Sequence, residues 1–418
     1  MTRTSTLPAT FGVLATLALA LVGCNGEDDA APADHEVWVE SVPGAWSRPH
    51  DDAGSWLQGI GYADGFEEAT GSGGVLAMDP ERTQAGANLY ASGDGPIARL
   101  IDQQGQVLHT WQVPDLPPDP SFGPGHNVFR RVHLLPNGEL LAIWIGRGLV
   151  KLDKDSRVLW TYPGLVHHDL AVAPNGTIWT LIREERRVIT VNPRADVVDD
   201  VLVNLTANGR EIRRISIIDA FLASSVREPF LSATIKQGDF MHTNSVSVLD
   251  GVLGRRHPGF TKGNLLVCLR NLDTAATIDP ERGVVQWMRP FVGRAPHEPV
   301  MTAAGTMLVF DNRGNREHSQ VLEFDPLAPG GTEPIWSYAG EPKERFSSFY
   351  CGTAARLPNG NTLITESTKG RVFEVTPAGE IVWAFENPAR AGDRKQLIAA
   401  IYEMVRLPAE MDLGWIQD

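Results

Sequence analysis

The chain has 418 residues, 21% of them charged, and a formal net charge of −14. That charge argues against nucleic acid as a partner, since a phosphate-binding surface must be basic to release counterions, and its main consequence is solubility. With three cysteines among 418 residues, the sequence is no disulfide scaffold.

At the amino end Arg3 precedes an apolar run from Phe11 to Val22 that is short for a membrane span. It ends at the small-residue site Leu21-Val22-Gly23-Cys24. This pattern predicts a signal peptide over residues 1–23. The site resembles the bacterial lipobox, in which Cys24 takes the lipid and becomes the mature amino terminus. Residues 24–36, with Glu27, Asp28, Asp29 and Asp34, hold almost nothing that could be buried and read as an acidic tether. Cell-envelope localisation on a lipid anchor follows, and Asn25 after the cysteine fits outer-membrane sorting. The expected organisation beyond is an amino-terminal extension over 37–87, one large domain over 88–410 and a tail over 411–418. Pairing of Cys268 with Cys351 stays open.

Two signals alternate along this domain. One is a strand end, a turn with Asp or Pro, and a strand closing on tryptophan. It runs from Leu100 to Trp111, Leu152 to Trp160, Ile278 to Trp287, Phe324 to Trp336 and Val375 to Trp383, with a degenerate copy without Trp at Val191–Val197. The other is a hairpin at Leu135-Pro-Asn-Gly138, Ala173-Pro-Asn-Gly176 and Leu357-Pro-Asn-Gly360, read as a two-residue turn in which Asn-Gly supplies positive φ angles. The tryptophans at 111 and 160 and at 287 and 336 are 49 residues apart, and those at 336 and 383 are 47 apart, the length of a four-stranded propeller blade. Six copies predict an all-β, six-bladed β-propeller. The 127-residue gap from Trp160 to Trp287 leaves room for one short helix around Ile215–Ser225. A ring of blades must close, and the pairing expected is Ala400–Leu407 with Asn88–Ser92.

Histidines stand at strand starts in three segments: His167-His168-Asp169, His242-Thr243-Asn244-Ser245 and Pro296-His297-Glu298. Each precedes alternating apolar residues, so the imidazoles are expected at the same end of different blades, near the axis. Such a cluster could bind metal, bind an oxyanion or supply a nucleophile. No tight His-x-x-x-His pair or carboxylate–His spacing typical of zinc is present, so no metal is expected. Arg270 interrupts the apolar strand Leu265–Leu272, either snorkelling outward or facing the channel.

Taken in order, these segments resemble the PAPS-independent bacterial arylsulfotransferases, from about Asn88 to Leu407. The motifs are His167–Asp169 ahead of an Asn-Gly hairpin, His242–Ser245, Arg270, the histidine ahead of Met307–Asn312 with Arg313 following, and Leu357–Ile364. The resemblance implies transfer of a sulfuryl group from an aryl sulfate donor to a phenolic acceptor by a ping-pong route through a sulfohistidine on His297. It implies that His168, His242 and Arg270 share the catalytic work, and that His167, Asn244, Asn312 and Arg313 bind substrate. No cofactor is implied. No Gly-rich phosphate cradle for a nucleotide donor occurs in the sequence.

The sequence departs from the family where members commonly carry Gln before the nucleophile: Pro296 stands there, and Glu298 follows. A carboxylate beside His297 would raise the imidazole pKa unless strand alternation turns it away. Two other classes share the repeat. A quinone-dependent dehydrogenase would carry more repeats and metal-binding acids, whereas a non-catalytic binding or envelope-assembly propeller would need no convergent histidines.

Overall fold

The computed structural model describes residues 65–114, 127–232, 238–290, 292–314, 318–329 and 333–416. The signal peptide, Cys24 and the tether lie outside them. The described strands build six four-stranded antiparallel units arranged as propeller blades. From the innermost strand outward, blade 1 is Ile401–Arg406, Asn88–Ser92, Ile97–Ile101 and Val107–Gln112. Blades 2 to 6 begin on Phe129–Leu134, Val166–Val172, Thr243–Val248, His297–Met301 and Thr353–Arg356. The ring closes where Ile401–Arg406 lies antiparallel to Asn88–Ser92, with Arg406 opposite Asn88 and Ile401 opposite Ser92. Ahead of residue 88, Gly74–Met78 adds a fifth strand to blade 6. At the other end Trp415 packs 5.6 Å from Trp111.

Six apolar clusters fill the six blade-to-blade interfaces, as expected of sheets that can bury their faces only against neighbours. A second ring of contacts runs around the rim. The outermost strand of each blade donates to a carbonyl in the turn between strands 3 and 4 of the next. Trp160 Nε1 donates to Ala207 O at 3.2 Å, Trp336 Nε1 to Pro377 O at 2.9 Å and Trp383 Nε1 to Gln103 O at 2.9 Å. His109 Nε2 meets Lys154 O at 2.8 Å. Where blades 3 and 4 reach forward, arginine does the same work: Arg213 to Pro280 O at 2.7 Å and Arg289 to Asp325 O at 2.9 Å. The tryptophan repeat is therefore largely a repeat of an inter-blade hydrogen bond, which is why blade 3 can lack the tryptophan.

Three sequence expectations change. The degenerate copy at Val191–Val197 lies between strands 2 and 3 of blade 3; the equivalent turn is Thr206–Gly209, ahead of Glu211–Ser216. The Leu135-Pro-Asn-Gly138 hairpin has positive φ only at glycine, 81° at Gly138, and Gly138 N donates to Leu135 O at 3.0 Å. It is a type I turn closed by a left-handed glycine, and Asn is there because its side chain accepts from a backbone N–H two residues on, as Asn175 does from Thr177 at 3.0 Å. The insertion holds two short helices, α1 (Ile217–Leu222) and α2 (Arg227–Ser232), with Phe221 and Phe230 stacked at 4.5 Å.

Candidate active site

Each inner strand ends in the same way: the residue after it donates its N–H to the residue just before strand 2, as in Leu135 to Glu139, Ala173 to Thr177, Leu249 to Asn264, Thr302 to Thr306, Leu357 to Asn361 and Leu407 to Ala87. Counting five residues back from these points gives one residue per blade: Tyr402, Arg130, His168, Asn244, His297 and Gly352. Counting four back gives Glu403, Arg131, Asp169, Ser245, Glu298 and Thr353. These are two successive layers at the axis. The inner strands of blades 1 to 5 each carry a register shift there, and His168, His242, Glu298 and Cys351 take left-handed backbone with φ of 58°, 49°, 48° and 56°. Such bulges turn side chains that regular alternation would send to opposite faces.

His297 is buried, and its Nδ1 lies 2.6 Å from Asn312 Oδ1. Asn312 is itself fully buried, and its Nδ2 donates to Ser348 O at 2.6 Å and Cys351 O at 2.5 Å. Both amide hydrogens being used on carbonyls, Oδ1 must be the atom facing the imidazole, so Nδ1 carries the proton. Nε2 is left with its lone pair. Burial, with the Arg270 and Arg130 guanidinium groups adding to it, holds the imidazole well below its ordinary pKa.

His242 is anchored through Nδ1 to Asp239 Oδ2 at 2.6 Å, and Arg183 reaches that same carboxylate oxygen at 2.9 Å. Burial lowers the His242 pKa, with Arg183 and Arg270 acting in the same direction against Asp239. His168 stands with its ring 4.9 Å from that of His242 and its Nδ1 2.7 Å from His167 Nδ1; His167 Nε2 in turn lies 3.3 Å from Asp200. His168 is also pushed well below its ordinary value, by burial first and then by His242, His167 and nearby arginines.

Arg270 ends the strand Leu265–Leu269 instead of interrupting it and opens a short 3₁₀ turn. Its charge acts on both His242 and His297, and its own pKa is lowered by burial and by Arg313. A buried guanidinium with a second cation acting on it makes a site that favours an anion.

Three of the residues expected to bind substrate have hydrogen-bond partners inside the protein. Asn312 orients His297, as above. Asn244 Nδ2 donates to Pro296 O at 2.8 Å, tying blade 4 to the peptide just before His297. His167 sits behind His168, between it and Asp200. Glu298 does not face His297: Arg131 takes its carboxylate through two hydrogen bonds, at 2.6 and 3.0 Å. Cys268 and Cys351 are both free and buried. Among the described residues no cluster of three or more His, Cys, Asp or Glu could hold a metal ion.

The sequence reading missed Arg130, Arg131, Arg183 and Asp239. Arg130 packs over the Tyr402 ring at 5.2 Å and acts on both His168 and His297. A signal for the first two was present: Arg130-Arg131 stands five and four residues before Leu135-Pro-Asn-Gly, as His168-Asp169 does before Ala173-Pro-Asn-Gly.

Fold and site together define a six-bladed propeller protein with a histidine and arginine site where its inner strands begin. The family comparison narrows this class. The chain belongs to the arylsulfotransferase family: the family model, described as Arylsulfotransferase (ASST), matches residues 131–388, from blade 2 through blade 6. Membership supports arylsulfotransferase activity in general and implies an aryl sulfate donor and a phenol acceptor. No curated protein matches the chain. Among solved structures, a protein of unknown function from Bacteroides caccae is 14% identical with a TM-score of 0.50, covering 77% of this chain and 98% of that one, and it shares the fold. Apo AztD from Citrobacter koseri is 11% identical over 78% of this chain and 98% of that one, TM-score 0.41. BamB from Moraxella catarrhalis is 10% identical over 78% of this chain and 83% of that one, TM-score 0.35.

Proposed function

We propose that this chain moves a sulfuryl group from an aryl sulfate to a phenol in two half-reactions, through a sulfohistidine on His297 and without a nucleotide donor. The observation that carries this reading is the buried Asn312–His297 pair, which leaves Nε2 with a free lone pair on an imidazole that feels the charges of Arg270 and Arg130. In the first half-reaction Nε2 attacks sulfur, the sulfur–oxygen bond to the arene breaks, and the electron pair leaves on the phenolate. The arginines hold the equatorial oxygens, much as in phosphoryl transfer. His242, steadied by Asp239, hands a proton to the departing oxygen and takes one back from the acceptor phenol as sulfur returns to oxygen. The bound sulfate's negative charge favours the protonated form of His242 while it waits.

The test is a chromogenic aryl sulfate mixed with enzyme in the absence of acceptor. About one equivalent of phenol should appear in a burst, as a covalent intermediate requires. Alkaline peptide mapping should place the sulfuryl adduct on His297, and a phenol acceptor should discharge it. His297→Asn should abolish burst and adduct in a folded protein. An adduct on His168 or His242 would overturn the nucleophile, and no burst from any aryl sulfate would favour a binding propeller instead.

We also propose that Cys24 carries a lipid that holds the protein in the cell envelope, on the strength of the Leu21–Cys24 site. Cys24→Ser should lose incorporation of labelled fatty acid. Label retained in that variant would refute the anchor.

A further inference from the structure

The four-back layer carries one base and three acids, and all four meet. Arg131 Nε lies 2.7 Å from Asp169, its two terminal nitrogens grip Glu298 at 2.6 and 3.0 Å, and one of them also meets Glu403 at 2.7 Å. One guanidinium from blade 2 thus joins acids from blades 3, 5 and 1, directly below the layer that holds His297. All four side chains are at most 16% exposed, so water screens them poorly.

We infer that Arg131 is a positioning residue for sulfuryl transfer: by gripping the Glu298 carboxylate it keeps the residue next to the nucleophile turned away and leaves His297 neutral. This rests on the assignment of His297 above. A carboxylate, Glu298, follows the nucleophile directly in the chain. Released, it could turn toward the imidazole and favour its charged form. Held in a planar fork, it is committed to a cation that stays charged throughout the working pH range.

The groups facing each partner set the comparison. Arg270, Arg130, His242 and Asn312 act on His297, while both Glu298 carboxylate oxygens are taken by Arg131. Around Arg131 stand Asp169, Glu298 and Glu403, and His133 further down its own strand feels its charge. Cys268 feels the Glu298 carboxylate from blade 4.

The experiment titrates His297 itself by its imidazole nitrogen resonances in full-length, histidine-labelled protein without substrate, assigned with His297→Asn. Wild type and Glu298→Gln should share one low pKa. Arg131→Gln should raise it by about one unit, the lower end of the effect of a close opposite charge. Arg131→Gln combined with Glu298→Gln should bring it back, and the acid limb of kcat/KM should follow the same pattern. If Arg131→Gln does not fold, Arg131→Lys, which keeps the charge but loses the fork, is expected to show a smaller shift that Glu298→Gln again cancels. An unchanged His297 pKa in every folded Arg131 variant, or a shift that persists without Glu298, would overturn the inference. Because the titration needs no turnover, a wrong nucleophile would appear as a normal titration pattern with no matching kinetic limb.

Discussion

Asn312 shows how little of a side chain's role its identity decides. An asparagine among histidines and arginines reads naturally as a ligand for substrate, yet here both of its polar ends are used inside the protein. Its work is to choose the tautomer of His297. Asn312→Ala should therefore slow the burst by about 10²-fold, the scale of losing alignment at a reacting atom. The hydrogen bond from His297 to Asn312 raises the imidazole pKa, so its removal lowers that pKa further. The rate should fall without the acid limb moving upward, and a limb that moved up would contradict the assigned tautomer. Asn244 also turns its amide nitrogen inward, where it braces Pro296 O. Residue types and their order revealed where the histidines would gather. The direction of each amide depends on carbonyls from another blade, such as Ser348 O, which no local pattern records.

At the scale of strands and turns, the repeat was legible because its cause is local and repeated. An outer strand carrying tryptophan, histidine or arginine meets a turn whose carbonyl points outward, and this recurs at every rim junction. The copy at Val191–Val197 misled because Asn192-Pro193 resembles the strand 3–4 turn, while Asn192 in fact caps a loop one connection earlier by accepting from Arg194 N at 2.9 Å. Arg213 supplies the missing donor, and no tryptophan marks it. Trp383→Phe keeps most of the buried ring but leaves Gln103 O without its donor, so it should cost about 1–3 kcal/mol. Urea unfolding should show a lower midpoint with an unchanged slope. A midpoint equal to wild type would mean that the rim ring adds nothing to stability.

Across the whole molecule, the closing strand that joins the two ends of the propeller also delivers an acid to its axis. Ile401–Arg406 completes blade 1 by pairing with Asn88–Ser92, and its Glu403 enters the layer held by Arg131. One guanidinium cannot neutralise three buried carboxylates, so the layer favours protonated acid: burial raises the Glu403 pKa to about 8 and that of Asp169 to about 6. For Glu403 the folded protein thus binds a proton between its ordinary 4.5 and about 8, where the unfolded chain does not. With more protons bound in the folded state, stability must fall as pH rises through that window. Glutamine mimics the protonated acid at every pH, so Glu403→Gln should match wild type below pH 4.5 and gain on it steadily toward pH 8. Thermal unfolding across that range checks this. Two curves that stay parallel would mean that Glu403 is ionised in the folded protein, with Arg131 holding three full negative charges at the axis.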